Sequence, residues 1–529
     1  MFDLVLEGGI IYDGTGADPY LGDVGIKDGH IKEIGNLCEA ATNERLMIDG
    51  LAVAPGFIDL HTHSDFTLLA DGRAQSQVNQ GVTTEVIGQC GFSCAPVTCD
   101  SHIIESGPGY LKCGVQLGWR SFDDYLKRLE ATALGVNVVA CVGHGAIHRA
   151  VLGDALRAPN PEEIKTMIHI AEQSMEAGAA GFTTGLEYWP GSLCGIEHIA
   201  PICEVATKYD RLYATHVRNR DIYYDFAFNE AIATARASGA RLQISHIQPK
   251  FGAPAHAMEH TLEIMENARR WGVDVAFDVI PHDWAHTIVT SILPRWALEG
   301  GPKALLDRLK DPSQREAMKF NPLAHWRIVA AGHWDKIKLL SSEANPDLVG
   351  TTFEEIGRAR KIDPYDVVLD LLLEEGEGLN HLKWTSHTFS DKDIALCLQQ
   401  PECAVISDTA ALAPDGPLKD QIGSLSGYGW AARFLGKYVR DEGIISLSEG
   451  IQKMTSIPAK RIGLLNRGTL KQKNIGDVVV FDAGQIASQY SVKEPRRYPT
   501  GIVHVLVNGE LVIRDGQRSE MNPGQVLRQ

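Results

Sequence analysis

The chain has 529 residues, of which 44% are hydrophobic and 22% are charged, a composition typical of a soluble globular protein with one large and one smaller domain. Its formal net charge of −17 argues against nucleic acid and anionic membranes as main partners. No apolar run approaches the ~20 residues of a membrane span, and the start, MFDLVLEGG, lacks the basic region of a signal peptide. The ten cysteines are irregularly spaced, which favours thiols over a disulfide framework, so we expect a cytoplasmic protein.

Short β-strands are predicted at both ends of the chain. Near the start, FDLVLEGGIIYDG, DVGIKDGHIKEIG and RLMIDGLAVAPG carry β-branched residues interrupted by Gly and Asp-Gly turn signals. The segments IGDVVVFDA and GIVHVLVNGELVIRDG near the other end show the same pattern of β-branched residues and turn signals. Within the second of them, Asn508-Gly509 is a strong hairpin signal. We therefore predict one small β-sandwich domain formed jointly by residues 1–54 and 466–529.

Strands alternate with helices through the middle of the chain. Helix candidates such as PEEIKTMIHIAEQSMEAG begin at Pro and end at Gly. The alternation implies parallel pairing, and eight strands imply a (β/α)8 TIM barrel. The predicted strands are GFIDLH (56–61), TTEVIGQ (83–89), NVVACVG (137–143), AAGFTTGL (179–186), RLYATH (211–216), ARLQISH (240–246), DVAFDVI (274–280) and ECAVISD (402–408).

Predicted strands seven and eight are too far apart for a single loop and helix. The stretch PRWALEGGPKALLDRLKDPSQREAMKF between them is helical and amphipathic. We therefore predict barrel strands one to seven over residues 55–282, an inserted helical subdomain over 283–345, and completion of the barrel with strand eight over 346–465. A position after strand seven would permit the insertion to close over the barrel mouth.

Side chains that bind metals follow several of the predicted strands. In a barrel these strand ends meet at one mouth, and imidazole, thiolate and carboxylate are zinc ligands. A single histidine at a strand end is more often structural, so the convergence of several such residues is what favours a metal site. The residues are His61, His63, Cys90, Glu187, His216, His246 and Asp408.

Four of these residues have specific alternatives or support. His61 and His63 share one face of their strand, because side chains alternate along a strand. In GQCGFSC the neighbouring Cys94 competes with Cys90, which we prefer because it follows the strand directly. Asp408 is either the N-cap of a helix or a proton acceptor beside a metal.

These segments together resemble the N-acyl-D-amino-acid deacylases (D-aminoacylases) of the amidohydrolase superfamily. The resemblance covers nearly the whole chain, including the two-ended β domain. It is carried by PGFIDLHTHSD, GVTTEVIGQCGFSCAPV, GAAGFTTGLEYWPG, THVRNR, the ISH end of strand six and the SD end of strand eight.

The resemblance implies a zinc-dependent amidohydrolase that cleaves the amide bond of a small N-acyl amino acid. One or two Zn²⁺ per chain are implied, with Cys90, His216 and His246 holding the tight ion and His61 and His63 serving a second position. By the same resemblance, Glu187 takes the place of a bridging ligand. Asp408 corresponds to the catalytic carboxylate that accepts a proton from water and delivers it to the departing nitrogen. A homo-oligomer is compatible with the sequence.

The chain departs from the family at three places, two of which are the lysine and tyrosine positions that help to hold the substrate carboxylate in the family. Ile247-Gln248-Pro249 precede Lys250 after strand six, Ile280-Pro281-His282 replaces a Tyr-Pro-Tyr turn, and PLKDQIGSLSGYGW lacks a His-Pro-Arg. A second hypothesis therefore keeps the metal and changes the substrate to another amide, carbamate, urea or lactam. A third, a non-catalytic scaffold, predicts missing ligands, and none is missing.

Four residues remain as substrate-binding candidates. Arg218 and Lys250 either bind a carboxylate or are ordinary exposed basic residues. Tyr188 and its neighbour Trp189 either belong to the core or line a pocket for an aromatic or long acyl group. His282 occupies the altered turn after strand seven.

Overall fold

The computed structural model describes residues 1–98, 113–153, 155–319, 326–421 and 423–529. Cys99 and His102, to which the sequence assigns no site role, lie outside these ranges. Within them, none of the helices combines the length and the apolarity that crossing a membrane requires.

The centre of the chain is an eight-stranded parallel barrel, as predicted. Strands one to three pair in order, strands three to eight pair in order, and strand three is interrupted at Cys141. The ring closes where the Asp408 N–H donates to the His61 carbonyl and the His63 N–H donates to the Thr409 carbonyl. The barrel strands are Phe57–Asp59, Val82–Ile87, Asn137–Ala140 with Val142–Gly143, Gly181–Gly185, Leu212–His216, Arg241–Ile244, Val275–Val279 and Cys403–Val405.

Helices connect the barrel strands and cover the outside of the barrel. The helix before strand four, Pro161–Glu176, shows how the sequence sets these boundaries: Asn160 accepts hydrogen bonds from the N–H groups of Glu162 and Glu163, and Pro161 occupies the first turn. The helices outside the insertion are Thr67–Ala70, Gln75–Val78, Phe122–Glu130, His144–Leu152, Pro161–Glu176, Ile196–Lys208, Tyr224–Ser238, Ala257–Arg270, Asp391–Leu398, Trp430–Arg433, the π-helical Phe434–Asp441, Leu447–Met454 and Ser456–Ile462.

Short 3₁₀ turns complete the helical structure. They are Gly191–Leu193, Val289–Ile292, Arg295–Leu298, Trp334–Lys336, Pro346–Leu348, Gly376–His381, Gly416–Leu418 and Leu425–Tyr428.

Both ends of the chain build one β domain, which confirms that prediction. Its nine strands form a single hydrogen-bonded sheet, in which Ala52–Pro55 pairs antiparallel with Val478–Phe481 and so joins the two ends. The other strands are Phe2–Ile11, Tyr20–Lys27, His30–Gly35, Thr42–Met47, Ile502–Val507, Glu510–Arg514 and Gln517–Arg518.

The insertion after barrel strand seven contains a small sheet as well as helices. Its strands Trp284–Ile288 and Ile337–Ser341 both pair antiparallel with Lys383–His387, and its own apolar core runs from Val289 to Trp384. The unit therefore extends well past the predicted end at residue 345. We propose residues 284–387 as the inserted unit and residues 388–465 as the completion of the barrel, and we keep the predicted boundaries of the β domain. Its helices are Gly301–Lys310, Pro312–Lys319, Arg327–Ala330, Phe353–Arg360 and Pro364–Glu375.

Candidate metal centre and substrate cavity

The carboxyl ends of the barrel strands open into a cavity of about 910 Å³. The barrel supplies much of the polar wall, and the inserted unit supplies much of the apolar wall. From the barrel come His63, Cys90, Glu187, His216, His246 and Asp408. From the inserted unit come Trp284, Ile288, Leu293, Trp296, Leu298 and Trp326. Six of the seven strand-end residues singled out in the sequence thus line one cavity, and the seventh, His61, contacts them from a buried position.

Four of these residues place potential metal-binding atoms close to one another. The donor atoms of His61, Cys90, His246 and Asp408 all lie within 4.8 Å of one another. The Cys90 Sγ lies 3.2 Å from Nε2 of His61 and 3.4 Å from Nε2 of His246. His216 adds a third imidazole, whose Nδ1 lies 3.6 Å from the same sulfur. Three imidazoles therefore surround one thiol.

The spacing of these atoms suits a tetrahedral zinc ion. With Zn–N bonds of ~2.0–2.1 Å and Zn–S bonds of ~2.3 Å, tetrahedral geometry requires N···S separations of roughly 3.5 Å, close to the three separations around Cys90. Burial lowers the pKa of His61 to about 3 and that of His216 to about 4, so both rings are neutral and offer a lone pair. Burial also raises the pKa of the Cys90 thiol well above its ordinary value, so a metal has to displace that proton to bind.

A carboxylate binds the ring nitrogen of His216 that faces away from Cys90. Its Nε2 lies 2.6 Å from Oε2 of Glu187, and a carboxylate only accepts, so the ring donates from Nε2 and keeps the Nδ1 lone pair toward Cys90. Both oxygens of Glu187 also accept from Nζ of Lys250, at 2.6 and 2.7 Å. The Lys250 ammonium in turn lies 3.8 Å from the ring centroid of Trp326 in the inserted unit. A chain of contacts thus runs from the insertion to a candidate ligand.

Asp408 faces the cluster from barrel strand eight. Its Oδ1 lies 3.2 Å from Nε2 of His63 and 3.5 Å from Nε2 of His61. Burial alone would raise the pKa of Asp408, but the hydrogen bond from His63, whose own pKa Asp408 raises, opposes this effect and holds the pKa of Asp408 below its ordinary value. The carboxylate is therefore ionised and able to accept a proton. His63 lies outside the group of four and has a partly exposed side chain.

Three of the converging residues have a left-handed backbone. The φ angles are 53° at Cys90, 36° at His246 and 51° at Asp408. Residues other than glycine adopt this conformation uncommonly, and residues held in it cluster at functional sites. Each turn lies where a barrel strand ends, and it directs the side chain into the mouth.

Two buried aspartates that the sequence analysis did not single out fix these turns. Asp278 Oδ1 accepts the His246 N–H at 2.6 Å, and its other oxygen accepts Nε2 of Gln243 at 2.9 Å. Asp59 Oδ1 accepts the N–H groups of Ser407 at 3.1 Å and His61 at 3.3 Å, which links barrel strands eight and one. The available signal was a single acid within an otherwise apolar strand, in FID and VAFDV.

The four substrate-binding candidates occupy different places. Tyr188 lines the cavity, with its ring centroid 4.7 Å from that of His216. Arg218 instead pairs with Glu230, Nε to Oε2 at 2.9 Å, and does not line the cavity. His282 is buried and stacks on Tyr490 at 5.5 Å.

Neighbouring positions line the cavity instead of two of the expected residues. Ile280 faces the cavity in place of His282, and Arg220 faces it in place of Arg218. Lys250 lies behind Glu187 rather than on the wall. Cys94, the alternative to Cys90, neither lines the cavity nor belongs to the group of four.

Known proteins match the whole chain. The amidohydrolase family matches residues 48–249 and 410–513, more than half of the chain. A D-aminoacylase of Alcaligenes xylosoxydans xylosoxydans is 31% identical, over 99% of this chain and 97% of that protein. An N-acyl-D-glutamate deacylase of the same organism is 30% identical, over 99% and 96%.

Solved structures agree with the sequence matches. An N-acyl-D-glutamate deacylase of Bordetella bronchiseptica, crystallised with zinc and a phosphonate inhibitor that mimics the tetrahedral intermediate, superposes with a TM-score of 0.83 at 28% identity and covers 100% of both chains. A D-aminoacylase studied for its binuclear metal centre superposes with a TM-score of 0.82 at 27% identity, again over 100% of both chains. The chain is therefore a member of the amidohydrolase family and a hydrolase of amide C–N bonds.

Proposed function

We propose that the protein is a zinc-dependent hydrolase that cleaves the amide bond of N-acyl amino acids, with N-acyl-D-amino acids as its substrates. The observation that carries the proposal is the ring of three imidazoles around Cys90 with the Asp408 carboxylate beside it. The named activities of the relatives, D-aminoacylase and N-acyl-D-glutamate deacylase, support the substrate class.

We assign the metal ligands as the resemblance implies. Cys90, His216 and His246 hold the first Zn²⁺, and the distances around Cys90 support this set. His61 and His63 serve a second position, which lies next to the first because Nε2 of His61 is 3.2 Å from the Cys90 sulfur. When bound, Zn²⁺ lowers the pKa of a water molecule toward neutrality and polarises the scissile carbonyl.

Glu187 has a different role in this proposal from the bridging role that the resemblance implies. Both of its oxygens bind Lys250 and one also binds His216. We therefore propose that Glu187 orients His216 and fixes its tautomer, and that Lys250 neutralises the buried carboxylate. Such partners of a ligating histidine raise its basicity and hold its ring in place.

Asp408 is the proposed catalytic carboxylate. It is ionised, lies at the mouth beside the ligands, and accepts a hydrogen bond from His63. It holds the proton removed from water at Oδ1 or Oδ2 and delivers it to the departing nitrogen. Proton transfer by a positioned carboxylate contributes about 10²–10⁴-fold to such reactions.

A second candidate keeps this chemistry and changes the substrate to a neutral amide, carbamate, urea or lactam. It is favoured by Ile280, which lines the cavity within the Ile280-Pro281-His282 segment that replaces the Tyr-Pro-Tyr turn of the deacylases. Ile280 presents an apolar side chain to the cavity, so a tyrosine contact to a carboxylate is absent from this position.

The test compares matched substrates. Metal is removed by chelation, zinc is restored, and hydrolysis of N-benzoyl-D-phenylalanine is measured against its L enantiomer and against N-(2-phenylethyl)benzamide, which lacks only the carboxylate. The proposal expects zinc-dependent hydrolysis with preference for the D enantiomer. Preference for the neutral amide would support the second candidate. A zinc-loaded protein that cleaves no amide would contradict both.

The described cysteines form no disulfide with one another. We propose a cytoplasmic location, which this absence of disulfides among the described residues fits because the cytoplasm keeps thiols reduced.

A further inference from the structure

Arg220 is a buried cation on the cavity wall with an unusual set of partners. It is 5% exposed and lines the same cavity as the metal cluster. Its Nη1 donates to the backbone carbonyls of His246 and Gln248, while its Nε has no hydrogen-bond partner among the described residues. Within those residues no carboxylate forms an ion pair with it.

The neighbouring basic residues, unlike Arg220, each form an ion pair with a carboxylate. Arg218 is two positions earlier in the same loop and pairs with Glu230. Lys250 is equally buried and pairs with Glu187. Burying a cation without an anionic partner is costly, and proteins normally pair such a group or use it to bind an anion. Arg220 therefore has the charge and the unused donors to bind an anionic ligand in the cavity.

Arg220 lies close to the candidate metal centre and is held in place there. Its Nη1 contacts the carbonyl of His246, which is itself a candidate zinc ligand. The guanidinium carbon lies 5.6 Å from the ring centroid of Phe389, another residue of the cavity wall. Backbone carbonyls on one side and an aromatic ring on another restrain the guanidinium, and a restrained fork is suited to binding a carboxylate through two nitrogens.

We propose that Arg220 binds the α-carboxylate of the substrate and makes the enzyme selective for N-acyl amino acids; this rests on the proposed function. In such a substrate only the amide nitrogen and Cα separate the scissile carbonyl from the carboxylate. The guanidinium contacts the backbone carbonyl of His246, a candidate metal ligand, and this proximity agrees with that short separation. Arg220 would thus bind the carboxylate that the lysine and tyrosine positions hold in the deacylase pattern, from which this chain departs.

The test uses the zinc-loaded full-length protein and the two substrates that differ only in the carboxylate. For Arg220→Met we expect kcat/KM for the preferred N-benzoyl-phenylalanine enantiomer to fall on the order of 10- to 100-fold, the usual effect of losing a charge-assisted hydrogen bond. For N-(2-phenylethyl)benzamide we expect a change of no more than about twofold, since that substrate makes no use of the guanidinium. Zinc content is measured for each variant to show that His246 still binds.

Arg220→Lys serves as the conservative variant and as the substitute if the methionine variant does not fold. It keeps the charge but loses the planar fork, so we expect a smaller loss, again confined to the carboxylate substrate. Equal losses on both substrates would overturn the inference and show that Arg220 only supports the carbonyls of His246 and Gln248. Wild-type protein that hydrolyses neither substrate would overturn the proposed function itself, and the two failures are therefore distinguishable.

Discussion

Glu187 Oε2 lies 2.6 Å from Nε2 of His216, while Nδ1 of the same ring faces the Cys90 sulfur at 3.6 Å. One carboxylate thus decides which nitrogen of a candidate ligand carries the proton. The same carboxylate binds Lys250, and Lys250 contacts Trp326 of the inserted unit. The metal centre, barrel strand four and the insertion are therefore parts of one connected arrangement.

Removing the charge of Glu187 is expected to weaken zinc binding. In Glu187→Gln the side chain no longer offers two equivalent acceptors to His216, so we expect the affinity for zinc to fall about 10- to 100-fold, the usual cost of losing such a partner. A titration against a competing chelator measures the affinity. Glu197→Gln is the matched control, because the Glu197 side chain is largely exposed and does not line the cavity. Equal affinity in both variants would contradict the positioning role.

The buried pair of Lys250 and Glu187 is expected to show strong coupling. Lys250→Met leaves a buried carboxylate without its cation, and we expect it to lower the free energy of unfolding by about 3–5 kcal/mol. The double variant Glu187→Gln/Lys250→Met removes both charges and is expected to recover part of that loss. Denaturant unfolding of the four proteins in the cycle measures the coupling. Additive losses would show that the two side chains do not depend on each other.

Asp408→Asn is expected to separate catalysis from metal binding. Asparagine keeps the size of the side chain but cannot accept the proton from water, so we expect kcat to fall about 10²- to 10⁴-fold. Zinc content is expected to stay at the wild-type level, because Cys90, His216 and His246 are untouched. Steady-state kinetics and metal analysis on the same preparation check both statements. Near-normal kcat would rule out Asp408 as the proton carrier.

The aromatic wall of the insertion is expected to select large acyl groups. Trp296 lines the cavity, so in Trp296→Ala we expect kcat/KM for an N-benzoyl amino acid to fall about tenfold, while the N-acetyl analogue changes little. Trp271→Ala is the control, because Trp271 is 83% exposed on the surface. A loss shared equally by the two substrates would mean that Trp296 supports the fold and not the acyl group.

The barrel and the residues of the metal cluster could be predicted from sequence because both depend on local pattern. Apolar runs alternate with amphipathic helices, and parallel strands of a barrel end at one mouth. A side chain that directly follows a strand is therefore placed by topology alone. This is why His61, Cys90, His246 and Asp408 could be named before their distances were known.

The sheet of the insertion could not be predicted in the same way. Its middle strand, Lys383–His387, pairs with strands that begin about 100 and about 46 residues earlier. Such pairings leave no local periodicity, and the nearer signals are those of helices. The predicted end at residue 345 therefore falls between strands of one sheet.

The sequence also could not predict that Arg220, and not Arg218, faces the cavity. Both lie in the loop after barrel strand five, where neither a strand nor a helix fixes which side chain faces the cavity. The orientation of each side chain is set by its hydrogen bonds, which run from Arg218 to Glu230 and from Arg220 to the carbonyl of His246. Both partners lie outside the loop itself. The left-handed turns at Cys90 and His246 could not be predicted either, because neither position carries the glycine that usually signals such a turn.

The most direct test of the central claim is the zinc content per chain of the purified protein, measured beside the Cys90→Ala variant. Because the Cys90 sulfur is the atom that all three imidazoles surround, we expect one or two zinc ions per wild-type chain and a marked loss of both zinc and amide hydrolysis in the variant. Wild-type protein that neither contains zinc when purified without chelators nor takes it up when zinc is added would contradict the account.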